Sequence, residues 1–176
     1  VDGSIATSPL TTVNSGATLA GTGTVGTLTV SGALAPGNSA GTLSVVGNVV
    51  LDMGSSLDWE LDGGDNTPGG GINDLLAISG TGVGNLTLDG TLNVAALDSD
   101  PFSSLGFDAH WTIITYTGTL TDNGLDLGVM PSLPEGWGWE VDTTSQPGEV
   151  WLVVPEPSAA LLGLLGVLGL LRRRRA

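Results

Sequence analysis

The chain has 176 residues, 18 of them Asp or Glu against four basic residues, and a formal net charge of -14. A body so acidic repels nucleic acid and anionic membrane surfaces, and neither is an expected partner. With no Cys and a single His, His110, it holds no disulfide, no zinc cluster and no Cys/His nucleophilic pair.

The sequence begins at Val1 without an initiator Met, a basic n-region or an apolar leader, so it is expected to be part of a longer exported precursor. From Thr11 to about Ala95, Gly, Thr, Ser, Asn and Asp punctuate short runs of Leu, Val and Ala that alternate with a period of two. Gly26-Thr27-Leu28-Thr29-Val30, Gly41-Thr42-Leu43-Ser44-Val45 and Gly90-Thr91-Leu92-Asn93-Val94 each place aliphatic side chains on one face and polar ones on the other. A lone strand of this length cannot bury its apolar face, so such quasi-repeats must stack on one another. The expected fold is all-β, either a β-solenoid or an antiparallel β-sandwich. Small, uniform side chains and recurrent Gly or Asn at corners needing positive φ favour the solenoid.

The run Gly32-Ala33-Leu34-Ala35-Pro36-Gly37-Asn38-Ser39-Ala40-Gly41-Thr42-Leu43, followed by Val46 to Leu51, Ser56 to Leu61 and Asn73 to Leu76, resembles the autotransporter-associated β-strand repeat of passenger domains. The resemblance covers roughly residues 17–94 and implies a right-handed parallel β-helix. Autotransporters carry a C-terminal outer-membrane barrel. Here a different tail stands in its place, which implies another route to the surface.

Within this segment Asp58, Glu60 and Asp62 alternate with Leu57, Trp59 and Leu61, which puts the three carboxylates on one strand face about 7 Å apart. That spacing lies within the range of the glycoside hydrolases, but a solvated acidic face is the expected reading. The loop from Asp62 to Asp74 offers Asp62, Asp65 and Asp74 as candidate Ca²⁺ ligands, although its spacing matches neither an EF-hand nor a nonapeptide calcium repeat. No other cofactor is expected. Gly21 to Gly26 spells a dinucleotide fingerprint by letter, but no helix follows it.

Composition shifts near Asp98: Trp59 precedes it, while Phe102, Phe107, Trp111, Tyr116, Trp137, Trp139 and Trp151 follow. Residues 98–154 are therefore expected to form an aromatic-rich β cap over the open end of the 1–97 segment, with strands at Trp111 to Tyr116, Trp137 to Val141 and Glu149 to Val154. Asp122-Asn123-Gly124 and Gln146-Pro147-Gly148 mark turns. Trp137 and Trp139 would share a strand face; packing in the core or cap is expected of them ahead of glycan contact, for which they are the candidates. His110 could enter a Ser-His-Asp triad, but no Gly-x-Ser-x-Gly elbow accompanies it.

The last segment, 155–176, runs Pro155-Glu156-Pro157, an apolar stretch from Ala159 to Leu171, then Arg172, Arg173, Arg174 and Arg175. As a helix the apolar stretch covers roughly 20 Å, short of a bilayer core of about 30 Å. Gly163, Gly166 and Gly169 give it a flat strip that another helix could approach, and the arginines are expected on the cytoplasmic side. This order of elements resembles the PEP-CTERM sorting signal of Gram-negative bacteria, a family whose tail is recognised and cleaved by an exosortase. A retained membrane anchor is the alternative.

The patterns together point to an exported, non-enzymatic protein of the cell surface, outer membrane or extracellular matrix. It would be adhesive, structural or associated with exopolysaccharide. Its tail would be held transiently in the inner membrane and engaged there by an exosortase. A glycan-binding module and a glycoside hydrolase on a β-helical scaffold are the alternatives.

Overall fold

The computed structural model describes residues 1–80, 82–97 and 109–155. The chain runs through short strands in circuits of three. The first circuit is β1 (Ser4–Ile5), β2 (Thr11–Val13) and β3 (Thr18–Gly21); the second is β4 (Thr24–Val25), β5 (Leu28–Val30) and β6 (Ala33–Pro36). The third is β7 (Thr42–Val46), β8 (Val49–Leu51) and β9 (Ser56–Leu61); the fourth is β10 (Leu75–Ser79), β11 (Leu86–Leu88) and β12 (Thr91–Ala96). A fifth, β13 (Ala109–Thr115), β14 (Leu120–Asp122) and β15 (Asp126–Leu127), precedes β16 (Glu140–Asp142) and β17 (Glu149–Val154).

Each strand of one circuit pairs in parallel with its counterpart in the next, so the circuits build three sheets. The first sheet ends differently: β17 lies antiparallel on β13, and β16 antiparallel on β17. The all-β expectation holds, and the pairing of the first fifteen strands is parallel rather than the antiparallel pairing of a sandwich. No helix occurs among the described residues, so none there could cross a membrane. The apolar stretch 159–171 lies outside them.

Period-two alternation sets the core. In β9 the residues Leu57, Trp59 and Leu61 are buried while Ser56, Asp58 and Glu60 are not, and β5, β7, β11 and β12 repeat the pattern. In-register pairing then stacks like on like: Leu34, Leu57 and Leu92 in the third sheet, Leu28, Val49 and Leu86 in the second, Leu43, Leu76 and Ile114 in the first. All nine are at most 1% exposed, so the core is a set of continuous aliphatic columns.

Corners are fixed by backbone conformation and by side-chain amides. Gly90 sits at φ +88°, and a Cβ there would come within 2.6 Å of the Ser55 carbonyl oxygen. Asn48 Oδ1 accepts from the amides of Gly84 and Asn85, each at 3.1 Å, and Asn85 Oδ1 accepts from the Thr119 amide at 2.9 Å. An asparagine of one circuit thus closes the corner of the next.

In the 98–154 segment the expected strands at Trp111 to Tyr116 and Glu149 to Val154 correspond to β13 and β17, and both expected turns carry a positive-φ glycine, Gly124 and Gly148. The strand expected at Trp137 begins only at Glu140. Phe102 and Phe107 lie outside the described residues.

Candidate functional site

Two faces of the molecule concentrate its polar chemistry. The first is the outer face of the third sheet. Asp58 and Glu60 project from β9 on the side opposite Leu57, Trp59 and Leu61, as the alternation predicts. Asp58 Oδ1 accepts from Asn93 Nδ2 of β12 at 2.8 Å, and Asp62 Oδ1 accepts from the Gly64 amide at 2.9 Å. A groove of about 370 Å³ runs over this face, lined by Ala35, Pro36, Asp58, Glu60, Asp74 and Asn93 among others.

Asp74 is the unusual member. It is 1% exposed, and its two carboxylate oxygens accept from the amides of Gly41 and Glu60, both at 2.9 Å. Its carbonyl oxygen accepts from Trp59 Nε1 at 2.7 Å. Burial pushes the carboxyl up to about 7 against the opposing pull of the two amides, and the Glu60 charge adds to the rise. A carboxyl raised in this way beside other carboxyl groups is the pattern of an acid/base pair. Here both oxygens of that acid are engaged by backbone, which makes it a clamp joining three segments of chain.

The candidate Ca²⁺ ligands serve separate local bonds. Asp65 Oδ1 accepts from the Thr67 amide at 2.8 Å, and hydrogen bonding to Thr67 holds its carboxyl below the ordinary range, while Asp62 and Asp74 bond as described above. Asn73 organises the loop: Oδ1 accepts from the Asp62 amide at 2.7 Å, and Nδ2 donates to the carbonyls of Asp65 and Thr67 at 2.7 and 3.0 Å. Among the described residues, no group of three or more His, Cys, Asp or Glu is gathered to hold a metal ion.

The second face is the outer side of β13, β17 and β16. Trp151 stands between the buried Val150 and Leu152 and points outward, opposite Thr112 of β13 and Asp142 of β16. Its indole stacks on His110 with ring centroids 4.3 Å apart and planes 24° apart. Glu149 Oε2 accepts from both Trp151 Nε1 and Thr112 Oγ1, at 2.5 and 2.9 Å, which fixes the indole in place. A groove of about 320 Å³ lies here, lined by His110, Trp151, Val153, Glu140, Asp142 and Ser145 among others. Hydrogen bonds from Ser145 and Thr144 hold the Asp142 carboxyl at about 2.

Trp137 and Trp139 are placed elsewhere. Neither lies in a strand, and both are half-buried against the hydrophobic core. Trp139 Nε1 donates to the Pro131 carbonyl at 3.0 Å, and its ring tilts onto buried Trp111 at 5.8 Å. The alternation Val150, Leu152, Val154 already implies that Trp151 faces outward. Its partner His110 is not legible in that pattern, because the register of β13 on β17 joins distant parts of the sequence.

Of the 155–176 segment expected to be a sorting signal, Pro155 is the last described residue and borders the second groove. Glu156, Pro157, Gly163, Gly166, Gly169 and Arg172 to Arg175 lie outside the described residues.

No family model matches the chain. Over 102 residues, 57% of its length, it is 46% identical to the adhesin BmaC autotransporter of Brucella suis biovar 1 (strain 1330). The matched stretch spans 3% of that protein's length.

Proposed function

We propose that this chain belongs to an exported, adhesin-like protein of the cell surface, with a non-enzymatic body that is a β-solenoid of the passenger type. The observation that carries the reading is the 46% identity over 102 residues to an autotransporter adhesin. Three sheets of parallel strands, aliphatic columns inside and an acidic exterior without Lys or Arg agree with it. In this reading residues 98–154 cap the stack and 155–176 deliver it, through an inner-membrane stage and an exosortase that acts near Pro155-Glu156-Pro157. Association with exopolysaccharide is the function assigned to the displayed body.

Two measurements on the native host test these steps separately. Protease added to intact cells should remove the protein from the surface; a protein that stays protected until the cells are lysed would overturn surface display. The intact mass of protein recovered from the surface or medium should lack Arg172 to Arg175. A mass that includes all four arginines would leave display standing and overturn processing.

A further inference from the structure

We propose that the groove at His110 and Trp151 is a binding site for a non-anionic glycan, which it would hold by stacking a sugar face on the aromatic pair while Glu140 and Asp142 accept from sugar hydroxyls. The inference deepens the surface-adhesin reading and rests on it, because it names the ligand that the displayed body would hold.

The placement follows from three adjacent strands. Alternation turns His110 of β13, Trp151 and Val153 of β17, and Glu140 and Asp142 of β16 toward the groove, with Thr112 of β13 on the same outer face. Register sets them in two rows: Thr112, Trp151 and Asp142 in one, His110, Val153 and Glu140 in the other. An aromatic and aliphatic strip is thus flanked by carboxylates on one side, an arrangement that suits a sugar with an apolar C–H face and a rim of hydroxyls. At about 320 Å³ the groove has the size of a small-ligand site.

Two further features distinguish this strip from ordinary surface packing. The Trp151 N–H is bonded to Glu149, so the indole is held before any ligand arrives and little rotamer entropy remains to be lost on binding. Among the described residues, the carboxylates at the groove are Glu140 and Asp142, with Glu149 bonded to Trp151 beside it, and no Lys or Arg occurs before Arg172. Uronic and sialic acids are repelled by such a site, whereas neutral hydroxyls find acceptors.

The test is binding of the full chain to an array of neutral and acid-bearing glycans, followed by titration of the strongest neutral ligand. Neutral glycans should be bound and their acid-bearing counterparts not. Trp151→Leu keeps apolar bulk without an aromatic face and should weaken binding at least tenfold, with circular dichroism and melting temperature little changed. His110→Ala, which removes one ring of the stack, should weaken it several-fold, and Trp137→Leu should leave it unchanged. Capture of acid-bearing glycans alone, absence of any neutral ligand, or loss through Trp137 but not Trp151 would each overturn the proposal. Trp151-dependent binding of hexalysine in place of any glycan would overturn it too and assign the groove to basic peptides. None of these outcomes alters where the protein is displayed, so surface protease accessibility judges the broader reading independently.

Discussion

Asp74 shows how a residue's chemistry is decided by chain segments that the sequence keeps apart. By composition it belongs to an oxygen-rich loop and reads as a ligand for a hard cation. In the fold it is enclosed and caps the amides of Gly41 and Glu60, two groups contributed by different stretches of the third circuit. No local pattern carries that information, whereas the outward acidic row of β9 is legible because it depends on alternation alone. Its carboxyl is raised to about 7 from an ordinary value of 3.8, so the folded state binds the proton more tightly than the unfolded chain. The stability it contributes is complete below the ordinary value and is lost as pH rises through about 7. Thermal unfolding should therefore give a higher melting temperature at pH 5 than at pH 8. Asp74→Asn should shrink that difference by about 1–3 kcal/mol, since a tenfold change in proton affinity is worth about 1.4 kcal/mol and solvent screening and relaxation discount the whole. An unchanged difference in the variant would assign the slope to the other carboxylates.

Single strands are largely legible, because period-two alternation fixes which residues of β5, β7, β9 and β12 turn inward. Their partners are not, since short strands of Leu, Val and Thr pair equally well in many registers. The fold selects one arrangement by stacking each strand from β4 to β15 on the one three places earlier, with corner asparagines and glycines setting the phase. The aromatic segment is harder to read: Trp137 and Trp139 resemble a short alternating strand, yet tertiary packing draws both rings against the core. Columns of like residues imply a steep cost for a gap. Leu57 lies between Leu34 and Leu92 at 1% exposure, and Leu57→Ala should cost about 2–5 kcal/mol by chemical denaturation. Thr29→Ala, on the outer face of β5, should stay within about 0.5 kcal/mol. Equal costs at the two positions would mean that the columns are not the main support of the stack.

Across the whole molecule, 18 carboxylates face four arginines, all of which lie in the tail. Mutual repulsion in such a body acts over a Debye length, which shrinks from about 30 Å at ~0.01 M salt to about 8 Å at ~0.15 M. Added NaCl over that range should raise the melting temperature by a few degrees; a melt indifferent to salt would show that the carboxylates are spaced too widely to repel one another. Composition alone makes this feature plain, since it needs no register to be read.

The reversal at β17 has a further consequence. Parallel strands that repeat with little variation are a natural template for end-to-end polymerisation, because an exposed strand edge will accept another copy of the same pattern. The three sheets begin on the uncharged edges β1, β2 and β3 and close at the other side on β16, β14 and β15, each two or three residues long and each carrying Asp or Glu. Short, negatively charged edges repel their own copies. Each of these edges thereby disfavours extension of its sheet by a like edge of another copy.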